Sequence, residues 1–143
     1  MGTTTVRWIG GKQFVGIDST QHSVVLSTPD EGVGMKPSEL LLVALGGCTA
    51  VDVVEILQKK RMPLTSLEIE VSGEQDTHNP WPYRKIHLLY RLRGQNLDAQ
   101  SVEQAIRLSE EKYCSVAATV RGVAEISYSF EILDDQPDST TIG

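Results

Sequence analysis

The feature that most constrains this chain is the stretch Ser38 to Lys60, whose run LLLVALGGCTAVDVVEILQKK is apolar on nearly every side when wound as an α-helix. A helix of about 23 residues with so little polar surface must be wrapped by other elements, so the fold has to be organised around it. Pro37 suits its first turn, where a missing N–H loses no partner. Lys59, Lys60 and Arg61 close the last turn, and Pro63 lies just beyond.

Ahead of this helix, Thr3 to Trp8, Gln13 to Asp18 and His22 to Ser27 are β-prone and are separated by Gly10-Gly11 and by Ser19-Thr20-Gln21. They predict a three-stranded antiparallel meander, joined to the helix by a turn-rich stretch from Thr28 to Lys36. After the helix, Leu67, Ile69 and Val71 alternate with polar residues, as do Ile86, Leu88, Tyr90 and Leu92, which predicts two half-buried strands around a polar loop from Gly73 to Tyr83. Asn96 to Tyr113 reads as an amphipathic helix with Val102, Ala105, Ile106 and Leu108 inward, and Ser115 to Val120 as a short second one ended near Gly122. Ile126, Tyr128, Phe130 and Ile132 alternate as a last strand. Residues 134–143 are acidic and polar and predict a disordered tail, which leaves one domain over residues 1–133. The order βββ-α-ββ-α-α-β, with its non-local strand pairings, predicts an α+β fold of antiparallel sheets around a long central helix.

A formal charge of -6 and a pI near 5.0 exclude nucleic acid as a partner, because phosphate binding draws on clustered Lys and Arg that the sequence lacks. Met1 to Lys12 carries no apolar run of signal-peptide length, and no segment approaches the roughly 20 apolar residues of a bilayer span. The expectation is a soluble, cytoplasmic protein without a membrane partner. The cytosol keeps thiols reduced, so Cys48 and Cys114 are either inert core thiols or working ones. His22, His78 and His87 share no ligand spacing with each other or with the cysteines, so neither a metal nor a cofactor is expected.

Cys48 follows Gly46 and Gly47 inside the central helix, where each glycine costs about 1 kcal/mol relative to alanine. Close approach of another backbone or of a substrate would offset that and leave the sulfur reachable. A tight helix crossing with Cys48 as a small core residue is the other reading. Cys114 stands at the expected N-terminus of the short helix, where backbone N–H groups and the helix dipole would favour a thiolate. Which cysteine has the lower pKa stays open. Asp52, one turn after Cys48, opposes ionisation unless a cation such as Arg7, Lys12 or Arg121 joins it, and Glu55 follows on the same side; both residues also fit a merely wetter stripe. The loop from His78 to Tyr83, with Trp81 between Pro80 and Pro82, fits a cap over a pocket or a packing loop.

Pro37-Ser38-Glu39-Leu40, leading through Ala44-Leu45-Gly46-Gly47 to Cys48, with Tyr113-Cys114-Ser115-Val116 before a short helix, resembles the OsmC/Ohr family over residues 3 to about 133. Gly46-Gly47-Cys48-Thr49 followed by Asp52-Val53-Val54 resembles its YhfA-like branch. The resemblance implies an intertwined homodimer with the cysteine-bearing helices at its centre. It also implies a peroxiredoxin-like role in oxidative stress: Cys48 attacks an organic hydroperoxide, Cys114 resolves the sulfenic acid as a disulfide, and a dithiol or lipoyl-type reductant restores the thiols. The family's catalytic Glu falls at Ser38, with Glu39 adjacent, and its activating Arg falls at Lys12, a point charge in place of a fork. Cys48, Cys114, Glu39 and Lys12 are therefore the candidate site residues. A second reading is a non-peroxidase member that binds a small hydrophobic or sulfur-containing ligand at the dimer interface. A third is a protein whose buried thiols are inert.

Overall fold

A computed structural model describes residues 2–134, and the expected tail therefore lies, apart from Asp134, outside the described residues. By their internal contacts the residues group into two compact units that divide after Leu41.

The first unit holds the expected meander: β1 (Thr5–Gly10), β2 (Gln13–Ile17) and β3 (Ser23–Ser27) pair antiparallel in that order. Gly10 and Gly11 take φ of 113° and 54° to turn the first hairpin, and the Trp8 indole N–H donates to the Gly11 carbonyl at 2.7 Å. Leu26 and Ser27 are buried, whereas Val6, Trp8 and Ile9 are exposed.

The long helix α1 (Pro37–Lys59) begins at Pro37 as expected. The second unit adds β4 (Leu64–Gln75), β5 (Tyr83–Gly94), α2 (Ala99–Leu108), α3 (Ser115–Val120) and β6 (Glu125–Ile132). The α+β class is as expected. The strands form one sheet ordered β4-β5-β6, in which β4 and β5 are antiparallel and β6 runs parallel to β5, a departure from purely antiparallel pairing. A parallel neighbour needs a long crossover, and α2 and α3 supply it. Period-2 alternation turns Ile86, Leu88, Tyr90 and Leu92 into one core. Leu42, Leu45, Val53 and Leu57 of α1 and Val102, Ala105 and Ile106 of α2 are buried in the same core.

Three boundaries move. The expected Gly73–Tyr83 loop shrinks to residues 76–82, because Gly73, Glu74 and Gln75 continue β4 in register with β5. A Cβ on Gly73 would lie 2.5 Å from the Tyr83 ring, so glycine lets that ring cross the strand. The helix expected from Asn96 starts at Ala99, since Asn96 is left-handed (φ 61°) and Asp98 caps α2 by accepting from the Ser101 N–H at 2.7 Å. It also stops at Leu108 and widens into a π-helical turn, Ser109–Tyr113, closed by the Cys114 N–H on the Ser109 carbonyl at 2.7 Å.

Two expectations about α1 need correcting. Its cover is one-sided in a single chain: Val43, Val51 and Val54 are 52%, 59% and 42% exposed along one stripe. By length and composition it also reaches what a bilayer span requires, with a mean hydropathy of 2.1, because Gly46 to Thr49 hardly interrupt the apolar run. Core helices pass the same test, and its Leu42, Leu45, Val53 and Leu57 are buried in the core of the second unit.

Candidate active site

Gly46 is where α1 is approached closely: a Cβ there would sit 3.0 Å from Val71 Cγ2, whereas a Cβ on Gly47 would meet nothing within 4 Å. One glycine thus answers to packing, and the other leaves an open surface beside Cys48. Cys48 is half-buried and Cys114 is buried; both are free thiols.

The π-helical turn delivers Cys114 to the start of α3, where its sulfur accepts from the Ala117 N–H at 3.3 Å and caps the helix. Burial works against ionisation of Cys48. It is outweighed by donors converging on its sulfur: the Cys114 thiol, the backbone N–H groups of Val116 and Ser115, and the Ser115 hydroxyl hold this thiol below its ordinary range. Cys114 goes the other way, since burial and neighbouring Cys48 push it up to about 11 despite the N–H groups of Ala117 and Val116. The expectation of a thiolate at Cys114 is therefore corrected. Its position at a helix N-terminus was right, but the first N–H groups of that helix serve Cys48.

Asp52 is occupied, accepting from the Ser109 hydroxyl at 2.7 Å. With Glu55, Ile56, Lys59, Lys60, Leu108 and Tyr113 it lines a cleft of about 580 Å³. Lys12 is ion-paired with Asp30 at 3.2 Å and Glu39 with Lys36 at 3.6 Å, all within residues 1–41, whereas both cysteines belong to the second unit. The loop tryptophan, Trp81, is 53% exposed. Among the described residues no group of three or more His, Cys, Asp and Glu is placed to hold a metal ion.

Sequence reasoning missed Glu110. It is buried in the π-helical turn, and the fully buried Tyr90 donates to its Oε1 at 3.2 Å. Burial pushes Glu110 up to about 7; the charges of Glu103 and Glu111 add to this, while Tyr90 and the Arg121 guanidinium oppose it. The Arg121 side chain also donates to the Glu110 carbonyl. The signal was present: Val102, Ile106 and Glu110 recur every four residues, so the acid falls on the core stripe of its helix.

The family model for OsmC-like proteins matches residues 28–132. Protein YhfA of Escherichia coli K12 is 34% identical over 128 residues, 90% of this chain and 96% of that protein. Among solved structures, a hypothetical protein from Aquifex aeolicus VF5 is 30% identical, with a TM-score of 0.86 over 95% of this chain and 98% of its own. The organic hydroperoxide resistance protein OhrB of Bacillus subtilis, at 15% identity and a TM-score of 0.66 over 92% of this chain and 98% of its own, shares the fold. With the matched model spanning both the long helix and the two cysteines, and a relative alike over nearly its whole length, this chain belongs to the OsmC-like protein family.

Proposed function

We propose that this protein is a dimeric, thiol-dependent reductase of organic hydroperoxides, with Cys48 as the peroxidatic and Cys114 as the resolving cysteine. The observation that carries this reading is the opposed poise of the two thiols, Cys48 held low by the donors of α3 and Cys114 held high beside it. The Cys48 thiolate attacks the terminal peroxide oxygen; an S–O bond forms, the O–O bond breaks, and the alcohol leaves after taking up a proton. Cys114 then attacks the sulfenic sulfur, an S–S bond forms, and water leaves. A dithiol reductant returns both thiols by exchange. Lys12 and Glu39 are auxiliary groups in this reading. The exposed Val43, Val51 and Val54 stripe of α1 is the face we assign to the second copy of the chain, since monomers seldom leave such stripes open.

The likeness to OhrB extends to the fold, so chemistry is the test. One equivalent of an organic hydroperoxide, added to reduced protein, is expected to consume both thiols within seconds and give an intramolecular Cys48–Cys114 disulfide, seen as the loss of two hydrogens by mass. Thiols that stay unreacted sink the proposal. The cleft lined by Asp52, Ile56, Leu108 and Tyr113 offers room for a second reading, a non-catalytic member that binds a small hydrophobic or sulfur-containing ligand; retention of such a ligand by Cys48→Ser, without turnover by wild type, selects it.

A further inference from the structure

Cys48, Asp52, Glu55 and Lys59 follow one another along α1 at helical spacing, so the row that begins with the sulfur continues as a run of charges. From Asp52 onward this row, with Ile56 and Lys60 beside it, lines the cleft of about 580 Å³, and Leu108 and Tyr113 complete the lining. Glu55 and Lys59 stand in the order, acid four residues before base, that pairs readily on a helix. Among the described residues, however, no ion pair holds either of them. Asp52 accepts from Ser109 through Oδ2, and Lys60 donates to Gln104. A helix rises 1.5 Å per residue, which sets the acid pair and the lysine pair about 9 Å apart along the axis of α1. The remaining lining, Ile56, Leu108 and the Tyr113 ring, is largely apolar.

We propose that this cleft binds short peptides of about three residues, the N-terminal ammonium at Asp52 and Glu55 and the C-terminal carboxylate at Lys59 and Lys60. The lining carries two charges of each sign, grouped by sign, so a dianion would meet the acids and a dication the lysines; a zwitterion satisfies both groups. Its length follows from the spacing. An extended chain spans about 3.5 Å per residue, so the ends of a tripeptide lie about 10 Å apart, whereas the two charges of a single amino acid sit too close together. Small apolar side chains answer Ile56, Leu108 and Tyr113, and the volume is that of a small-ligand site. The row also fixes the direction: the acids are nearer Cys48 in the helix than the lysines are, so the first residue of the peptide lies on the Cys48 side. The site holds whether or not Cys48 reduces hydroperoxides, since nothing in it needs an oxidant.

Calorimetric titration of the reduced full chain with trialanine tests this. No oxidant is present, so a failure here leaves the peroxidase reading untouched. Trialanine is expected to bind once per chain, and N-acetylation or C-terminal amidation of the peptide is expected to weaken binding about tenfold each. The losses are expected to follow the residues. Glu55→Gln weakens trialanine about tenfold and has little further effect on the acetylated peptide; Lys59→Gln does the same toward the amidated one. Both side chains are exposed, so neither substitution disturbs the core. Trialanine that does not bind overturns the proposal. Binding that ignores both blocking groups overturns it too, since the cleft would then read apolar surface alone. A crossed pattern, in which Glu55→Gln becomes silent toward the amidated peptide and Lys59→Gln toward the acetylated one, refutes the assigned direction and the proposal with it.

Discussion

Glu110→Gln should make the protein more stable, but only on one side of neutrality. The amide keeps a carbonyl oxygen where the Tyr90 hydroxyl donates at 3.2 Å, and removes the titration alone. A carboxyl that ordinarily titrates near 4.5 is pushed by burial up to about 7 in the fold. Because the folded state prefers the protonated acid, the stabilisation from that preference is fully present below pH 4.5 and is lost as the pH rises through about 7. Above that window wild type carries a penalty of about 3 kcal/mol that the amide escapes. Urea denaturation at fixed protein concentration, at about pH 4.5 and about pH 8, measures it. The two proteins are expected to lie within about 1 kcal/mol of each other at the lower pH and to separate by up to about 3 kcal/mol, in favour of the variant, at the higher. Parallel curves would refute the argument that ionised Glu110 burdens the fold, and a variant weaker at the higher pH would show that Arg121 and Tyr90 hold the carboxylate at a net gain.

Removing the Cys114 thiol takes one of the donors from Cys48, so Cys114→Ala is expected to slow iodoacetamide alkylation of Cys48 about tenfold near neutral pH, with the rates converging in alkali where both proteins are ionised. Val51 leaves 59% of its surface open on the α1 stripe, worth about 1 kcal/mol per protomer when covered, and Val51→Asp adds an unpaired charge; sedimentation should show the dimer replaced by monomer. Gly46→Ala gains about 1 kcal/mol in helix propensity and loses more to a methyl placed 3.0 Å from Val71 Cγ2, so thermal unfolding should show a net loss that Val71→Ala relieves.

The sequence made the elements legible wherever a single period dominated. The meander turns at Gly10-Gly11, α1 opens at Pro37, and the alternation of β5 and β6 all appear in the structure as read. Pairing direction was hidden, because alternation says which side of a strand is buried and nothing about whether its neighbour runs up or down. The π-helical turn was hidden for a related reason: an α-period drawn through Ser109 to Tyr113 gives no sign that the backbone widens there to bury both Ser109 and Glu110. Cys48 and Cys114 were visible as chemistry-bearing types. Their unequal acidity was not, since it comes from N–H groups of α3 that point at a residue more than 60 positions earlier in the chain. Glu110 was overlooked because a carboxylate in an amphipathic helix is usually solvated, although its spacing from Val102 and Ile106 placed it inward.

The parallel pairing of β6 with β5 has a consequence for how the molecule is assembled. Strands β4 and β5 meet across residues 76–82 alone, a local contact that forms early, whereas β6 reaches its place only after the crossover through α2 and α3 has been laid down. Cys114 rides on that crossover. Cys48 therefore precedes in the chain, by more than 60 residues, the segment that supplies its hydrogen-bond donors, and without Cys114, Ser115 and Val116 in place its thiol keeps the ordinary cysteine range.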